Sequence, residues 1–163
     1  MSVNRYQPHV FVLPEDDANR QLANGFLLYP SLSIRNIQVL TEVGGWTRLL
    51  DRFKSDHVSE MQLYPDRFMV LLIDFDDSND RLRDAQAAIP RDLSERVFIL
   101  GVRSEPEALR KAKLGSFENI GLKMAQDCHE GTDAIWGHKL LRHNGNELVR
   151  LRRCVRPILF QSI

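Results

Sequence analysis

The segment Phe68–Ile73 constrains the fold of this chain more than any other. It contains six consecutive apolar residues, and an acidic segment, Asp74 to Asp77, follows it directly. A short, uninterrupted apolar run that ends in polar residues is typical of a fully buried strand in a parallel sheet. Ligands of open α/β sheets bind beyond the carboxyl ends of the strands, so we expect these carboxylates to lie where such folds carry their chemistry.

Strand and helix patterns alternate through the first 105 residues. Residues 9–13, 34–40 and 96–102 are predicted to form three further strands, with residues 34–40 nearer an edge of the sheet because one face is less apolar. Alternating strands and helices indicate βαβ units. The sequence therefore predicts an α/β fold with a mostly parallel β-sheet flanked by helices, of the Rossmann-like kind.

The later residues change in character and predict a helical C-terminal extension. A chain of 163 residues fits one domain, with an α/β core over residues 9–110 and the extension over residues 111–163. Within the extension, residues 117–128, 134–143 and 147–155 have helical patterns. The apolar end Pro157–Phe160 is interpreted as a last strand or a docked tail, and burial against a second copy in a homodimer is an open alternative.

Composition bounds the class of protein and its setting. Twenty-two basic residues balance twenty-two acidic ones, which neither favours nor excludes nucleic acid as a partner. The two cysteines form no disulfide framework and no zinc motif. The sequence contains neither a signal-peptide apolar region nor an apolar run approaching the ~20 residues that span a bilayer. We therefore expect a cytoplasmic protein with no membrane partner.

Acidic residues follow two of the predicted strands. Glu15, Asp16 and Asp17 come after the first strand, as Asp74 and Asp76 come after the third. On a strand, Asp74 and Asp76 are expected to point to the same side, where they repel unless a cation lies between them or one is protonated. Such hard oxygen ligands suit Mg²⁺ or Mn²⁺. An alternative is a solvated turn in which Asp caps the next helix.

Two further segments carry local signals. Gly44 and Gly45 lie between a strand and a helix, where paired glycines permit positive φ angles or a close approach of backbone to a ligand. An ordinary strand-to-helix turn is the interpretation that the local sequence favours. Ser104 and Glu107 have the spacing of a capping box at the start of a helix.

In their order along the chain, Glu15, the pair Gly44-Gly45 and the Asp74-x-Asp76 motif resemble the Toprim fold. This is the catalytic domain of type IA and type II topoisomerases, of primases and of nucleases of the overcoming-lysogenization-defect group. The resemblance covers residues 9–110. One departure is Asp16, which stands where the family often has glycine.

The resemblance implies a site and an activity. Glu15, Asp74 and Asp76 would be catalytic residues and would hold Mg²⁺ or Mn²⁺, with Asp16 and Glu107 as further ligands. The family breaks or joins phosphodiesters, so a small free-standing member is expected to be a metal-dependent nuclease that acts on DNA or RNA. Phage defence or nucleic-acid repair would be its setting, alone or with a protein partner.

Two other interpretations remain open. The first strand with its acidic end also looks like the start of a response-regulator receiver domain. Asp74 would then be the phospho-acceptor and Asp16, Asp17 and Asp74 would hold Mg²⁺. Ser104 and Lys123 would stand for the hydroxyl residue after the fourth strand and the lysine after the fifth. In the other interpretation, the chain is a non-catalytic α/β interaction protein whose acids are caps and solvated turns.

Overall fold

The computed structural model, which describes residues 2–160, has one four-stranded sheet in the described part. All neighbouring strands are parallel and their order is β2-β1-β3-β4. The predicted α/β fold with a parallel sheet and a helical C-terminal extension is therefore confirmed. The strands are β1 (His9–Pro14), β2 (Ile37–Val39), β3 (Arg67–Asp74) and β4 (Val97–Val102).

Helices connect the strands and continue beyond β4. A π-helical turn at Phe53–His57 joins the second helix to the third, and short 3₁₀ turns occupy Ile34–Asn36, Arg91–Leu93 and Arg142–Asn144. The α-helices are α1 (Asp17–Phe26), α2 (Trp46–Arg52), α3 (Val58–Leu63), α4 (Asp80–Ala88), α5 (Pro106–Lys111), α6 (Phe117–Glu130) and α7 (Gly145–Leu159).

Each face of the sheet has its own apolar core, because successive strand side chains point to opposite sides. Val70 and Leu72 of β3 pack in a core with side chains from α1, α6 and α7. Leu71 and Ile73 pack in the other core with side chains from α2, α3 and α4. Burial on both faces explains the uninterrupted apolar run that dominates the sequence.

Three predictions of secondary structure differ from the observed helices and strands. The strand predicted over residues 34–40 does lie at an edge, but it is limited to β2 because a 3₁₀ turn precedes it. Residues 134–143 were predicted to be helical, which is wrong. The buried carboxylate of Asp127 accepts hydrogen bonds from the backbone N–H groups of residues 134–136, at 2.7–3.2 Å, and holds that segment in turns.

Of the two alternatives for Pro157–Phe160, the last strand is wrong because α7 continues to Leu159. Phe160 forms only an isolated antiparallel bridge with Leu32. Both Leu159 and Phe160 are buried in the core beside α1, so this apolar end is covered within the chain. No helix within residues 2–160 combines the length and apolar content needed to cross a membrane.

The helix α1 is held tightly in place by α6. A Cβ atom at Gly25 would lie 2.2 Å from the carbonyl oxygen of Glu118, and one at Gly121 would lie 2.0 Å from that of Leu22. Only glycine permits the two backbones to approach this closely. The packing matters for function because the first turn of α1 carries acidic side chains at the carboxyl end of the sheet.

The extension also covers the edge of β4. The side-chain amide of Asn144 accepts from the N–H of Gly101 at 3.1 Å and donates to its carbonyl at 2.9 Å. Glu147 accepts from the N–H of Ile99 at 2.8 Å. These side chains satisfy backbone groups that a further strand would otherwise satisfy, which protects an edge open to unwanted pairing.

Candidate functional site

The acidic ends of β1 and β3 meet. Pro14 pairs with Leu72, and the N–H of Glu15 donates to the carbonyl of Leu72 at 2.9 Å. The Oε2 atom of Glu15 in turn accepts the backbone N–H of Asp74 at 2.7 Å. In the strand order β2-β1-β3-β4, the connections change direction between β1 and β3, which is the switch point where open α/β sheets bind ligands.

Asp16, Asn19 and Asp74 form one hydrogen-bonded group on the side of α1. Asp16 caps α1, since its Oδ1 accepts the backbone N–H of Asn19 at 2.9 Å. The Nδ2 atom of Asn19 donates both to Asp16 Oδ1, at 2.9 Å, and to Asp74 Oδ1, at 2.7 Å. The predicted capping by Asp is thus observed at Asp16, but the same carboxylate also lies beside that of Asp74.

Two carboxyl groups at this point are harder to ionise than usual. Burial, followed by the nearby carboxylates of Asp16 and Glu15, raises the pKa of Asp74 to about 8, although the hydrogen bond from Asn19 opposes the shift. Burial also raises the pKa of Glu15, against the hydrogen bond from Asp74 N–H and the charge of Arg81. Carboxyl groups whose pKa is raised by burial and by neighbouring acids are common in binding and catalytic sites.

Arg81 of α4 approaches the site from the other face of the sheet. Its Nη1 donates to the carbonyl of Asp74 at 2.6 Å and lies 3.9 Å from Oε1 of Glu15. Its Nη2 lies 3.5 Å from Oδ2 of Asp76. The guanidinium also lies over the ring of Trp46, with its carbon 5.3 Å from the ring centroid, so Arg81 is held on several sides.

The prediction that Asp74 and Asp76 point to the same side is wrong. The strand ends at Asp74, and the backbone turns at Asp76 and Asp77, where φ is 53° and 55°. The N–H groups of these two residues donate to the carbonyls of Ser104 and Arg103. Strand alternation no longer applies in such a turn. The Asp74 side chain accepts from Asn19, whereas the Asp76 side chain is 70% exposed and contacts Arg81.

Glu107 is not brought to the other predicted ligands. It is exposed in the first turn of α5, and no hydrogen bond or ion pair joins it to them in the described part of the chain. The predicted capping box is wrong as well. The N-cap position is Glu105, without a side-chain cap, and the Oγ of Ser104 is buried with no hydrogen-bond partner among residues 2–160.

The paired glycines adopt the predicted positive φ angles, 87° at Gly44 and 153° at Gly45. Their N–H groups donate to the carbonyl of Glu15 at 2.8 and 3.2 Å, so this turn secures the end of β1. Apart from the two neighbouring residues, no residue between 2 and 160 has a heavy atom within 4 Å of a Cβ atom built at Gly45. The turn therefore supports the site through the backbone and leaves open space above Gly45.

A divalent cation fits part of the predicted ligand set. Within residues 2–160, no three His, Cys, Asp or Glu side chains converge in the manner of a metal site. Asp16 and Asp74 nevertheless supply two partly exposed carboxylates side by side. One or two carboxylates with several water molecules are a usual way for proteins to hold Mg²⁺. The five predicted ligands are therefore not brought together among the described residues, which offer a hard cation only the adjacent carboxylates of Asp16 and Asp74.

Sequence reasoning missed Asn19 and Arg81, the two residues that organise these acids. Asn19 lies three residues after the capping Asp16, a spacing that faces the cap, but asparagine in a helix carries no strong signal. Arg81 lies seven residues after Asp74, and only the packing of α4 brings it back. The contact of Asn19 with Asp16 is local, but the contacts of Asn19 and Arg81 with Asp74 depend on the packing of the helices.

The further residues that the receiver interpretation requires lie in three different surroundings. Ser104 follows β4 next to the turn after Asp74. Asp17 is exposed and forms an ion pair with Arg20. Lys123 lies on α6, where its Nζ donates to the carbonyl of Leu114.

Comparison of the chain with protein-family models, with curated proteins and with solved structures found no match. The Toprim resemblance therefore stays a prediction from the sequence.

Proposed function

We propose that this protein is a Mg²⁺- or Mn²⁺-dependent nuclease that cleaves phosphodiester bonds at the carboxyl ends of β1 and β3. The observation that carries the proposal is the meeting of the two acidic strand ends, with Glu15 bonded to Asp74 at 2.7 Å. Beside them, Asp16 and Asp74 converge on one amide nitrogen. The same residues, Glu15 and Asp74, carry the resemblance to the Toprim fold.

Each side chain has a separate task in this proposal. Asp16 and Asp74 would hold the cation, which when bound polarises a phosphate and makes a water molecule a better nucleophile. Glu15 fixes the end of β3 by accepting the N–H of Asp74. The planar guanidinium of Arg81, partly exposed beside these acids, is a donor suited to phosphate oxygens.

The substrate proposed is DNA or RNA in the cytoplasm, in phage defence or repair. A chain with no net charge must attract phosphate through local groups. Two arginines besides Arg81 lie near the ends of these strands. Arg103 has its Nε 4.0 Å from Oδ1 of Asp77, and the Nη1 of Arg48 would lie 3.6 Å from a Cβ atom added at Gly44.

The test is cleavage of supercoiled plasmid DNA and of labelled RNA with Mg²⁺, with Mn²⁺ and with EDTA. Cleavage is expected with either metal, absent in EDTA, and at least about 100-fold slower in Asp74→Asn and Glu15→Ala. Asp84→Asn, an exposed acid on α4, is the matched control and should cleave normally. No cleavage by the wild type, or cleavage that survives Asp74→Asn, would contradict the proposal.

A receiver-like phospho-acceptor is the second candidate, and Ser104 is the observation that favours it. This hydroxyl residue follows β4, as Asp74 ends the neighbouring β3, and its Oγ is buried without a partner in the described part of the chain. Incubation with acetyl phosphate and Mg²⁺, followed by intact-mass analysis, separates the candidates. One added phosphoryl group, lost in Asp74→Asn, would support the receiver. If neither Mg²⁺ nor Mn²⁺ binds to the protein or raises its Tm, the result supports the non-catalytic interpretation.

A further inference from the structure

The C-terminal extension carries a basic segment, residues 138–143, between α6 and α7. Its sequence is His-Lys-Leu-Leu-Arg-His, which contains two permanent cations and no acid. The segment consists of turns and the start of the 3₁₀ turn at Arg142–Asn144. Because the whole chain has no net charge, this segment is a local excess of positive charge.

Two contacts hold the basic segment against the edge of the sheet that carries the acids. The carbonyl of Leu140 accepts the backbone N–H of Arg103, the residue directly after β4, at 2.8 Å. The ring of His143 packs edge-on against that of Phe75, with 4.9 Å between the centroids, and Phe75 directly follows Asp74. The basic segment therefore borders the acidic turn that follows β3.

The cations of this segment differ from the other cations at the same edge. Arg20, Arg81 and Arg103 each lie within 4.0 Å of a carboxylate oxygen. Lys139 and Arg142 are exposed, and no ion pair joins either of them to an acid among residues 2–160. Their charge is therefore available to an anion from outside, whereas that of the three arginines is partly neutralised.

His143 adds a ring to this surface and little charge. Burial lowers the pKa of its imidazole, and the charge of Arg103 acts in the same direction. Its ring is therefore mostly neutral at pH 7. A neutral imidazole can donate a hydrogen bond or stack on a base.

A polyanion fits this surface better than a single small anion. The carboxylates at the ends of β1 and β3 repel phosphate, so a nucleic acid needs cations beside them to hold its backbone at this edge. Lysine and arginine side chains supply most such contacts, and they fix the position of a strand without reading its sequence. Lys139 and Arg142 are three residues apart, so they can contact different phosphates of one strand.

We propose that residues 138–143 bind the phosphate backbone of a nucleic acid strand that passes the candidate site, with Lys139 and Arg142 as the phosphate contacts. The inference rests on the proposed function and deepens it by naming the surface that holds the substrate. It also gives the extension a role that the resemblance does not imply, because the resemblance covers only residues 9–110.

Fluorescence anisotropy of a labelled oligonucleotide in EDTA tests the inference, because binding is then measured without metal or cleavage. Lys139→Ala and Arg142→Ala should each weaken binding by about threefold or more, and the double variant by about tenfold or more. The double variant should also lower the slope of log K against log[salt] by about 1–2, as expected for two lost phosphate contacts. Arg142→Lys keeps the charge and should retain most of the affinity.

Arg153→Ala is the matched control and should bind within about twofold of the wild type. Arg153 is an exposed arginine of α7, but it lines a groove with Ser94, which precedes β4 at the opposite end of the sheet. Thermal melting checks that each variant is folded, which is expected because these side chains are exposed.

Three results would overturn the inference: no binding by the wild type, equal affinity of the double variant and the wild type, or an equal loss in Arg153→Ala. Competition by a polyglutamate peptide that matches the unlabelled oligonucleotide would do so too, because the surface would then suit an acidic protein. Binding that depends on Lys139 and Arg142 without any metal-dependent cleavage would overturn only the proposed nuclease activity. Cleavage by the double variant with unchanged kcat and KM would overturn only the inference.

Discussion

The carboxylate of Glu15 accepts the backbone N–H of Asp74 at 2.7 Å, across the central pair of parallel strands. This contact fixes the position at which β3 ends and places the Asp74 side chain beside α1. The acid is nearly buried, with 7% of Glu15 exposed, so the hydrogen bond forms where water competes little. It also brings the two carboxyl groups close together, which adds to the effect of burial in raising the pKa of Asp74.

Asp74→Asn is expected to stabilise the metal-free protein at pH 8. The pKa of Asp74 is raised to about 8 in the folded protein, so folding favours the neutral form. Wild-type stability is therefore lost as the pH rises from about 4, the unfolded pKa, to about 8. After a discount for solvent screening, the gain should be about 1–3 kcal/mol at pH 8 and smaller at pH 5, measured by urea unfolding in EDTA.

Asp84→Asn is the control for that measurement and should change little at either pH. A gain for Asp74→Asn that is the same at pH 5 and pH 8 would show that charge is not its cause.

His9 should make the fold sensitive to acid. It is fully buried, accepts from Nε of Arg67 at 2.9 Å through Nε2, and therefore donates through Nδ1 to the carbonyl of Gln7 at 2.7 Å. Burial, followed by the charge of Arg67, lowers the pKa of His9. Between this lowered value and about 6.5 the unfolded chain binds more protons, so stability is present above pH 6.5 and lost as the pH falls.

The free energy of unfolding should therefore decrease between pH 7.5 and pH 5, and His9→Gln should remove up to about one proton from that dependence. Burial lowers the pKa of His57 and His143 in the same direction, so part of the dependence should remain in the variant. Identical pH profiles for the variant and the wild type would exclude His9 as a contributor.

Asn144→Ala should destabilise the chain by about 2–3 kcal/mol, because it leaves the N–H and carbonyl of Gly101 buried without their partner. Asn146→Ala, an exposed residue two positions later in the first turn of α7, is the control and should change the free energy by less than about 0.5 kcal/mol. Denaturant unfolding followed by circular dichroism measures both. Equal effects would mean that the β4 edge does not depend on the amide of Asn144.

Val10→Ile should stabilise the protein by about 0.5–1 kcal/mol. An apolar cavity of about 60 Å³ lies between the sheet and the helices of one face, and Val10, Leu22 and Met124 are among its lining residues. One added methyl group gains about 0.8 kcal/mol when it fills empty apolar space. Val102→Ile, which is fully buried in the same core but does not line this cavity, is the control and should be neutral or destabilising through overpacking. Thermal unfolding compares the two, and an equal or larger gain at Val102 would contradict the explanation.

The architecture was predictable because it depends on patterns that are local along the chain. The apolar run at residues 68–73 and the alternation of strands with helices predicted a parallel sheet, and the acidic ends of β1 and β3 were predicted to share one edge if those strands were neighbours. The paired glycines were predicted to permit positive φ, as observed at Gly44 and Gly45. Each of these follows from backbone geometry within a few residues.

The division of the site was decided by tertiary structure alone. Whether β1 lies beside β3 is a question of strand order, and the turn at Asp76 depends on hydrogen bonds with residues after β4. Asn19 and Arg81 reach the acids only because α1 and α4 pack on opposite faces of the sheet. The sequence by itself determined which acids reach this edge, because strand length and pattern are local. Only the packed fold decided which of them share a partner, because that depends on contacts between residues distant in the chain.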